Sequence, residues 1–493
     1  MRPSTKLKTL TKRKSIFSLI ALLFLFGCHS GENALPPTAI EPTPSKDQLA
    51  WHEMEMTAFI HFTTNTFTGK EWGYGDESPS IFNPTDMDVE QWVTVLKETG
   101  FKGIILTCKH HDGFCLWPSK YTEHSVKNSP YKNGEGDVVK ELSDACREQG
   151  LKFGVYLSPW DRNHKDYGGA EYITYYRNQL EELLTNYGPV FEMWFDGANG
   201  GDGYYGGQRE TRHIDRETYY DWPTTIELAR GHQPDILFFS DAGPDIRWIG
   251  NEQGYVGKTN WNTLTPDTLY AGKSGITELL NTGSIDGTRW IPGEVDVSIR
   301  PGWFYHAEED SRVKTPDQLF EIYLSSVGRG SVLLLNVPPD RRGQLHENDI
   351  QSLRGFRQRL DEAFTNNRAT EATVTASSYR GKSSRFAPEN LIDGDKETYW
   401  ATNEDITTGS IELEWDEPQT VSYVLIQEYI PLGQRVKSFQ VKAWNNEQWE
   451  TVSEATTIGY KRILRIDPMK TTRIRIEITD SKACPVITNV AIY

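Results

Sequence analysis

The chain has 493 residues, a length that favours two or three domains. Hydrophobic residues make up 37% of it and charged residues 25%, as in ordinary globular proteins. Acidic residues outnumber basic ones by 69 to 52, so the formal net charge is −17, which argues against nucleic acid as a partner. The chain is rich in aromatic residues (15 Trp, 23 Tyr and 20 Phe), whose rings stack on sugars as well as filling cores.

The N-terminus has the pattern of a signal peptide. Six positive charges in residues 2–14 precede an apolar run over 16–26 that is too short to span a membrane as a helix. The run leads into Cys28 in a sequence that resembles a bacterial lipobox, whose cysteine is lipidated and becomes the new N-terminus. Phe26 is bulkier than that motif usually carries, so ordinary secretion is the alternative. Removal of residues 1–27 takes away six positive charges and no acids, and the net charge becomes −23.

Residues 28–48 contain four prolines and are expected to form an unstructured tether. We therefore expect a secreted protein, located in the bacterial periplasm or at the outer membrane or cell surface, with a lipid on Cys28 as its only membrane attachment. Four further cysteines lack metal-site spacing and are expected to be buried thiols, with one disulfide as the alternative: Cys108, Cys115, Cys146 and Cys484.

Strands and helices alternate over residues 49–365. Apolar residues recur at helical spacing from Glu171 to Tyr187, Gly188-Pro189 ends that helix, and an apolar strand follows at once. This rhythm predicts an α/β fold of the (β/α)8 TIM-barrel type, closed by a last helix over 348–364. The eight expected strands, of which the sixth and seventh have the weakest signals, are 57–62, 103–107, 153–158, 191–195, 236–240, 247–249, 295–299 and 331–336.

Polar and aromatic side chains follow these strands, and the chemistry of such barrels lies at the C-terminal strand ends. They are His61, Glu71, Trp72, His110, His111, Tyr156, Asp196, Asp241 and Glu252. Adjacent histidines on extended chain point in different directions, and no third histidine lies at zinc-like spacing, so the pattern does not favour a metal hydrolase. Such a set of hydrogen-bond donors and acceptors is typical of a site that binds the hydroxyl groups of a sugar.

Hydrolysis of a glycosidic bond needs two carboxyl groups. Asp196 and Glu252 follow the fourth and sixth strands, although an Asp-Gly turn is the alternative role for Asp196 and a solvated loop position the alternative for Glu252. Apolar neighbours of Glu252 are expected to raise its pKa and keep it protonated. Asp241 and Glu192 are the competing carboxyl groups, and Glu192 is placed on the same face as Asp196 but deeper in the barrel.

Together these motifs resemble the α-L-fucosidases of glycoside hydrolase family 29. The resemblance covers most of residues 49–362, and its most specific part is the pairing of His-His-Asp-Gly-Phe at 110–114 with Trp-Phe-Asp-Gly at 194–197. It implies a retaining mechanism with Asp196 as the nucleophile. It also implies contacts with fucose from His61, Glu71, Trp72, His110, His111 and Tyr156.

The segments 247–252 and 299–306 are similar to the branch of that family that prefers α-1,3/1,4-linked fucose on Lewis-type glycans. On that basis Glu252 is the acid/base and Trp303 is a wall near the fucose. Substrate contacts are also expected from Arg247 and, with a neighbouring galactose, from Glu294 and Asp296.

After Thr365 the pattern changes to short alternating strands, which predict an antiparallel β-sandwich over 366–493. The segments 386–395 and 398–401 resemble the discoidin-like domain of coagulation factor 5/8 type C, which also serves as a family 32 carbohydrate-binding module. That resemblance implies a structural calcium ion and galactose-type ligands. Asp393 and Asp395 offer oxygen ligands. A scaffold without ligand, and a simple turn at these aspartates, are the alternatives.

The sequence therefore predicts a retaining exo-α-L-fucosidase that needs no cofactor or metal for catalysis and acts on fucosylated oligosaccharides or glycoconjugates. Three alternatives are a fucosidase of broad linkage specificity, a barrel hydrolase for another sugar, and a non-catalytic glycan-binding lipoprotein.

Overall fold

The computed structural model describes residues 34–493, so the expected signal peptide and Cys28 lie outside the described residues. Eight parallel strands form a closed barrel in the order β1-β8-β7-β6-β5-β4-β3-β2. Most are continuous apolar runs buried along their length, because helices cover the outside of the barrel and side chains fill its interior. The strands are β1 Met56–Ile60, β2 Gly103–Lys109, β3 Lys152–Leu157, β4 Glu192–Trp194, β5 Leu237–Ser240, β6 Ile246–Trp248, β7 Gly293–Ser298 and β8 Val332–Asn336.

All eight expected strands are thus confirmed, including the weakly signalled sixth and seventh. The sequence carries local signals for the starts of the helices. The Asp137 side chain accepts from Lys140 N at the start of the helix Val138–Gln149, and Thr315 forms a capping box with Gln318 at the start of the helix Pro316–Ser325. The helices are α1 Lys46–Met54, α2 Thr64–Thr68, α3 Val89–Glu98, α4 Val138–Gln149, α5 Ala170–Asn186, α6 Trp222–His232, α7 Thr277–Thr282, α8 Pro316–Ser325 and α9 Glu347–Phe364.

The C-terminal region is an antiparallel sheet domain with its own apolar core around Trp400, Ile411 and Ile476. Its strands are β9 Thr373–Ala376, β10 Trp400–Ala401, β11 Gly409–Glu428, β12 Val436–Asn445, β13 Gln448–Ala455, β14 Arg462–Ser481 and β15 Val486–Ile492. The sheet order is β10-β15-β11-β14-β12-β13, with β9 also on β11. The long strand β11 pairs with β14, and this pairing shifts register between Glu414 and Gln419, as at a β-bulge.

The expectation of an unstructured tether up to residue 48 is wrong for its described part. Residues 34–40 contact the C-terminal domain, and α1 begins at Lys46. Arg380 Nε donates to the Leu35 carbonyl oxygen (2.6 Å), and Arg435 Nη2 donates to that of Thr38 (2.6 Å). A proline-rich extended segment keeps its carbonyl oxygens free, and buried or half-buried arginines use them here.

The C-terminal domain also forms hydrogen bonds with the segment that follows β6. Gln434 accepts from Asn262 N (2.8 Å) and donates to the Asn260 carbonyl oxygen (2.9 Å), while Thr457 Oγ1 accepts from Asn260 N (2.8 Å). The four described cysteines are all buried and unpaired, as expected. Within residues 34–493, no helix has the length and apolar character needed to cross a bilayer.

Candidate active site

A cavity of about 220 Å³ opens at the C-terminal ends of the barrel strands. Its wall combines aromatic rings, neutral imidazoles and carboxyl groups, and none of the lysines or arginines in the described residues 34–493 lines it. The lining residues are Phe59, His61, Trp72, His110, His111, Tyr156, Trp194, Asp196, Gly197, Ala198, Asp241, Trp248, Glu252, Asp296 and Trp303.

Asp196 lies directly after β4, and its side chain is 23% exposed to the cavity. Tyr156 on the neighbouring β3 donates its hydroxyl to Oδ2 (3.0 Å), and the backbone N–H of Ala198 donates to Oδ1 (2.6 Å). Burial raises the pKa of Asp196, and these two hydrogen bonds oppose that rise. The pKa of Tyr156 lies well above its usual value, chiefly because the ring is buried, so the phenol keeps its proton and remains a donor. Asp196 is therefore an oriented carboxylate with a partly open face.

Two histidines present unprotonated ring nitrogens to the cavity. The pKa of both His61 and His111 falls to about 3, chiefly through burial, so both rings are neutral. His61 Nδ1 lies 2.8 Å from the side-chain oxygen of Asn336, which only accepts, so we assign the proton to Nδ1. His111 Nδ1 lies 2.7 Å from Ser158 Oγ, whose own proton goes to the Trp160 carbonyl oxygen (2.6 Å), so this ring has the same tautomer. Each Nε2 atom can therefore accept a hydrogen bond from a hydroxyl group of a ligand.

His110 completes this group. Its ring lies 4.1 Å from that of His111 and stacks at 14° on Tyr156, and its pKa lies well below the usual value because of burial and then its neighbour His111. Trp72 meets the ring of His111 edge-on and is 53% exposed. Trp72 is thus an aromatic side chain at the rim of the pocket, above the uncharged imidazole rings.

Glu252 comes from the loop after β6 and faces the same cavity. Trp303 Nε1 donates to its Oε2 (3.2 Å). Burial raises the pKa of Glu252, and the negative charges of Asp196 and Glu71 add to that rise against the Trp303 hydrogen bond. Glu252 therefore favours its protonated form more than an ordinary glutamate does.

Two further carboxyl groups line the cavity. Asp296 accepts from Trp248 Nε1 (2.8 Å), and burial together with the charge of Glu252 holds its pKa well above the usual value. Asp241 accepts from Gly272 N (2.7 Å), and burial raises its pKa to about 6. Asp241 lies against Gly197, where a Cβ would overlap its carboxylate, so this glycine permits the close approach.

The structure corrects two expected substrate contacts. Arg247 is fully buried outside the cavity lining, and Nε and Nη2 donate to the carbonyl oxygens of Leu280 (2.9 Å) and Trp261 (3.0 Å). Glu294 is fully buried below the cavity, where its Oε2 accepts from Trp194 Nε1 (3.0 Å). Neither side chain can touch a sugar in the cavity, because both point into the protein interior.

Glu71, expected to contact fucose, also lies outside the cavity lining. Its carboxylate accepts from Trp303 N (2.8 Å) and Phe304 N (3.3 Å) and lies 2.6 Å from His306 Nε2. In this arrangement Glu71 positions the loop that carries Trp303.

The sequence reading missed three aromatic residues of the lining: Phe59, Trp194 and Trp248. Strand alternation could have found two of them. Phe59 and Trp194 each lie two positions before a cavity residue, His61 and Asp196, and residues two apart on a strand share a face. Their rings are 5.1 Å apart and form the apolar floor.

The calcium site that the C-terminal motif implied stays a prediction, and its two expected ligands take part in a turn. Asp393 accepts from Asp395 N (2.8 Å) and Thr398 Oγ1 (2.8 Å), and Asp395 accepts from Glu397 N (2.9 Å), so the two carboxylates stabilise their own turn. Within residues 34–493, no three His, Cys, Asp or Glu side chains converge as in a metal site.

Comparisons with known proteins identify the family of the chain. The family model for α-L-fucosidase matches residues 28–362, and the model for the F5/8 type C domain matches 373–490. α-L-Fucosidase 1 of Arabidopsis thaliana is 43% identical over 93% of this chain and 88% of its own. A glycoside hydrolase 29 family member from an unknown rumen bacterium is 45% identical, with a TM-score of 0.83 over 93% of this chain and 78% of its own.

The Ruminococcus gnavus family 29 fucosidase in complex with fucose is 34% identical, with a TM-score of 0.84 over 94% of this chain and 97% of its own. The family model covers well over half of the chain, and the Arabidopsis relative is matched over most of its length. This chain belongs to the α-L-fucosidases of glycoside hydrolase family 29.

Proposed function

We propose that this α-L-fucosidase is a retaining exo-enzyme that releases α-1,3/1,4-linked L-fucose from Lewis-type or other fucosylated glycans, with Asp196 as the nucleophile and Glu252 as the acid/base. The observation that carries the proposal is that these two carboxyl groups line one cavity in opposite environments. Asp196 accepts two hydrogen bonds, from Tyr156 and Ala198, whereas Glu252 accepts one and has the negative charge of Asp196 to oppose its ionisation.

In the first step Asp196 Oδ attacks the anomeric carbon while Glu252 gives its proton to the leaving oxygen, so the glycosidic bond breaks and a β-fucosyl ester forms. In the second step Glu252 takes a proton from water, whose oxygen attacks the same carbon and releases Asp196 as carboxylate. Two inversions return the α-anomer. Family 29 fucosidases need no cofactor for these steps.

Asp241 is the rival acid/base, since its pKa of about 6 also suits proton transfer. The acid must lie opposite the nucleophile across the sugar ring. Asp241 lies against Gly197, next to Asp196 in sequence, whereas Glu252 meets Trp303 on the loop after β7. This difference favours Glu252.

The cavity chemistry suits a deoxy sugar with one apolar side. Phe59 and Trp194 offer an apolar floor for a methyl group, and the Nε2 atoms of His61 and His111 accept from hydroxyls. The volume of about 220 Å³ suits a single ring, in keeping with exo-action. The motif at 299–306 supports the branched-glycan preference.

The roles are separable by azide rescue. Glu252→Ala should lose about 10²–10⁴-fold on substrates with poor leaving groups. With an activated aryl fucoside, whose leaving group needs no acid, azide should restore turnover and form the α-fucosyl azide, because azide attacks the fucosyl-enzyme from the face opposite Asp196. Asp196→Ala should instead give the β-fucosyl azide. Asp241→Ala is the matched control and should show no rescue. The α-azide from Asp241→Ala would move the acid/base role to that residue.

Proton NMR of a Lewis-type trisaccharide tests stereochemistry and linkage together. Early α-fucose establishes retention, and early β-fucose would overturn it. Equal rates on α-1,2 and α-1,6 linkages would replace the branched-glycan preference with broad specificity.

We also propose that the enzyme is secreted and carries a lipid on Cys28, which the basic and apolar N-terminal pattern supports. Cys28→Ser should move the activity from the membrane fraction to the soluble fraction. Activity that is soluble in both proteins would favour simple secretion.

A further inference from the structure

Two glutamates outside the cavity lining lie fully buried inside the barrel. Glu192 on β4 and Glu294 on β7 are each placed two residues before a cavity residue, Trp194 and Asp296, so they form the next layer down. The proposed reaction uses neither. Buried carboxyl groups without a cationic partner are costly, and their presence calls for a physical account.

The hydrogen bonds of this pair leave one oxygen of each carboxyl group unused. Glu192 Oε2 accepts from Trp51 Nε1 (2.9 Å), and Glu294 Oε2 accepts from Trp194 Nε1 (3.0 Å). Among residues 34–493, no N–H or O–H group donates to either Oε1 atom, and both atoms are buried. Glu192 shares a face of β4 with Trp194, and Glu294 is hydrogen-bonded to Trp194, so the two carboxyl groups are neighbours inside the barrel. Two neighbouring buried carboxylates repel each other, and one proton between their free oxygens removes that repulsion.

We propose that Glu192 and Glu294 share a proton and act as positioning residues, fixing the indole of Trp194 beneath the bound sugar. Trp194 stacks on Phe239 (4.0 Å, 8°) and on Tyr156 (5.5 Å, 26°), and Tyr156 is the residue that donates to Asp196. The pair therefore acts on the nucleophile through two packed rings. The kinetic test of this inference rests on the proposed role of Asp196, whereas its stability test does not.

Electrostatics agree with a shared proton. Burial raises the pKa of Glu192 to about 8 and holds that of Glu294 well above its usual value. The charge of Glu192 raises the pKa of Glu294 further, whereas Glu294 lowers the pKa of Glu192, so the proton belongs mainly to Glu294. The charged groups around the pair are also acidic: Asp245 acts on Glu192, and Glu294 acts on Asp296. A raised pKa in the folded state gives stability that is full below the unfolded value near 4.5 and is lost as the pH rises towards 8.

Glu294→Gln tests the proton directly. Its amide oxygen can still accept from Trp194, and its NH2 group can donate to Glu192 without any shared proton. We expect kcat/KM on an aryl fucoside to stay within threefold of wild type, and the fall in Tm between pH 5 and pH 8 to become smaller. Glu294→Leu removes the acceptor for Trp194, and kcat/KM should fall at least tenfold with an unchanged circular dichroism spectrum.

Trp51→Phe is the matched control, because Trp51 donates to Glu192 but does not line the cavity. It should lower Tm and leave kcat unchanged. An unchanged pH dependence of Tm in Glu294→Gln would overturn the shared proton. Wild-type kinetics in a folded Glu294→Leu would overturn the positioning role, whatever azide rescue shows for Asp196.

Discussion

Removing the hydroxyl of Tyr156 tests the electrostatic account of Asp196, the proposed nucleophile. Tyr156→Phe keeps the buried ring and its stacking on Trp194 but deletes the 3.0 Å hydrogen bond to Asp196, leaving the Ala198 N–H as the remaining donor. A hydrogen bond to a charged group contributes about 1.5–3 kcal/mol, which corresponds to about 1–2 pKa units at 1.36 kcal/mol per unit. Asp196 is 23% exposed, so water replaces part of that loss and we expect about one unit.

The bond lowers the pKa of Asp196, so its loss raises that pKa and moves the acid limb of kcat/KM to higher pH. The pH–rate profile of aryl fucoside hydrolysis should show a shift of about one unit, with the largest loss of activity at low pH. Tyr176→Phe is the matched control, because that buried hydroxyl donates to the Leu157 carbonyl oxygen (2.9 Å). An acid limb that moves equally in both variants, or in neither, would refute the assignment of Asp196 as the group titrating there.

Three further changes probe the surroundings of the site. Trp303→Phe removes the donor to Glu252, so the pKa of that acid should rise further and the basic limb of kcat/KM should move to higher pH. Glu71→Gln weakens the contacts to the Trp303 loop and should raise KM for an aryl fucoside severalfold, with the same Tm within a few degrees. Arg435→Met removes the arginine donor from the carbonyl oxygens of Thr38 and Cys484, and urea unfolding should show a loss of about 3 kcal/mol.

The barrel was predictable because its signals are local. Apolar runs of strand length, helix caps such as Asp137 and stops such as Gly150 all lie within a few residues of the elements that they define. The cavity residues that follow strands, such as His61 and Asp196, were predictable for the same reason, since topology brings all C-terminal strand ends together.

Side-chain direction was less predictable, because it depends on partners distant in sequence. Arg247 was expected to meet substrate, but carbonyl oxygens more than ten residues away take its protons. Glu294 was assigned to the same surface as Asp296, although strand alternation places it one layer lower and its partner lies 100 residues away. The segment 34–45 was read from its prolines alone, whereas the arginines that hold it lie beyond residue 379.

The charges of the site stabilise a positive charge that develops on the sugar only in the transition state. Cleavage of the fucosyl bond builds positive charge on the ring carbon and oxygen. In the part of the chain that the structure describes, the cavity lining has carboxyl groups to meet that charge and no lysine or arginine. The histidines contribute no opposing charge, because burial keeps His61 and His111 neutral. A neutral sugar gains little from this negative field in the ground state, whereas the transition state gains a great deal, which is the difference that raises a rate. The shared proton of Glu192 and Glu294 fits the same logic, because two full charges beneath the floor would raise the pKa of Asp196 and weaken the nucleophile.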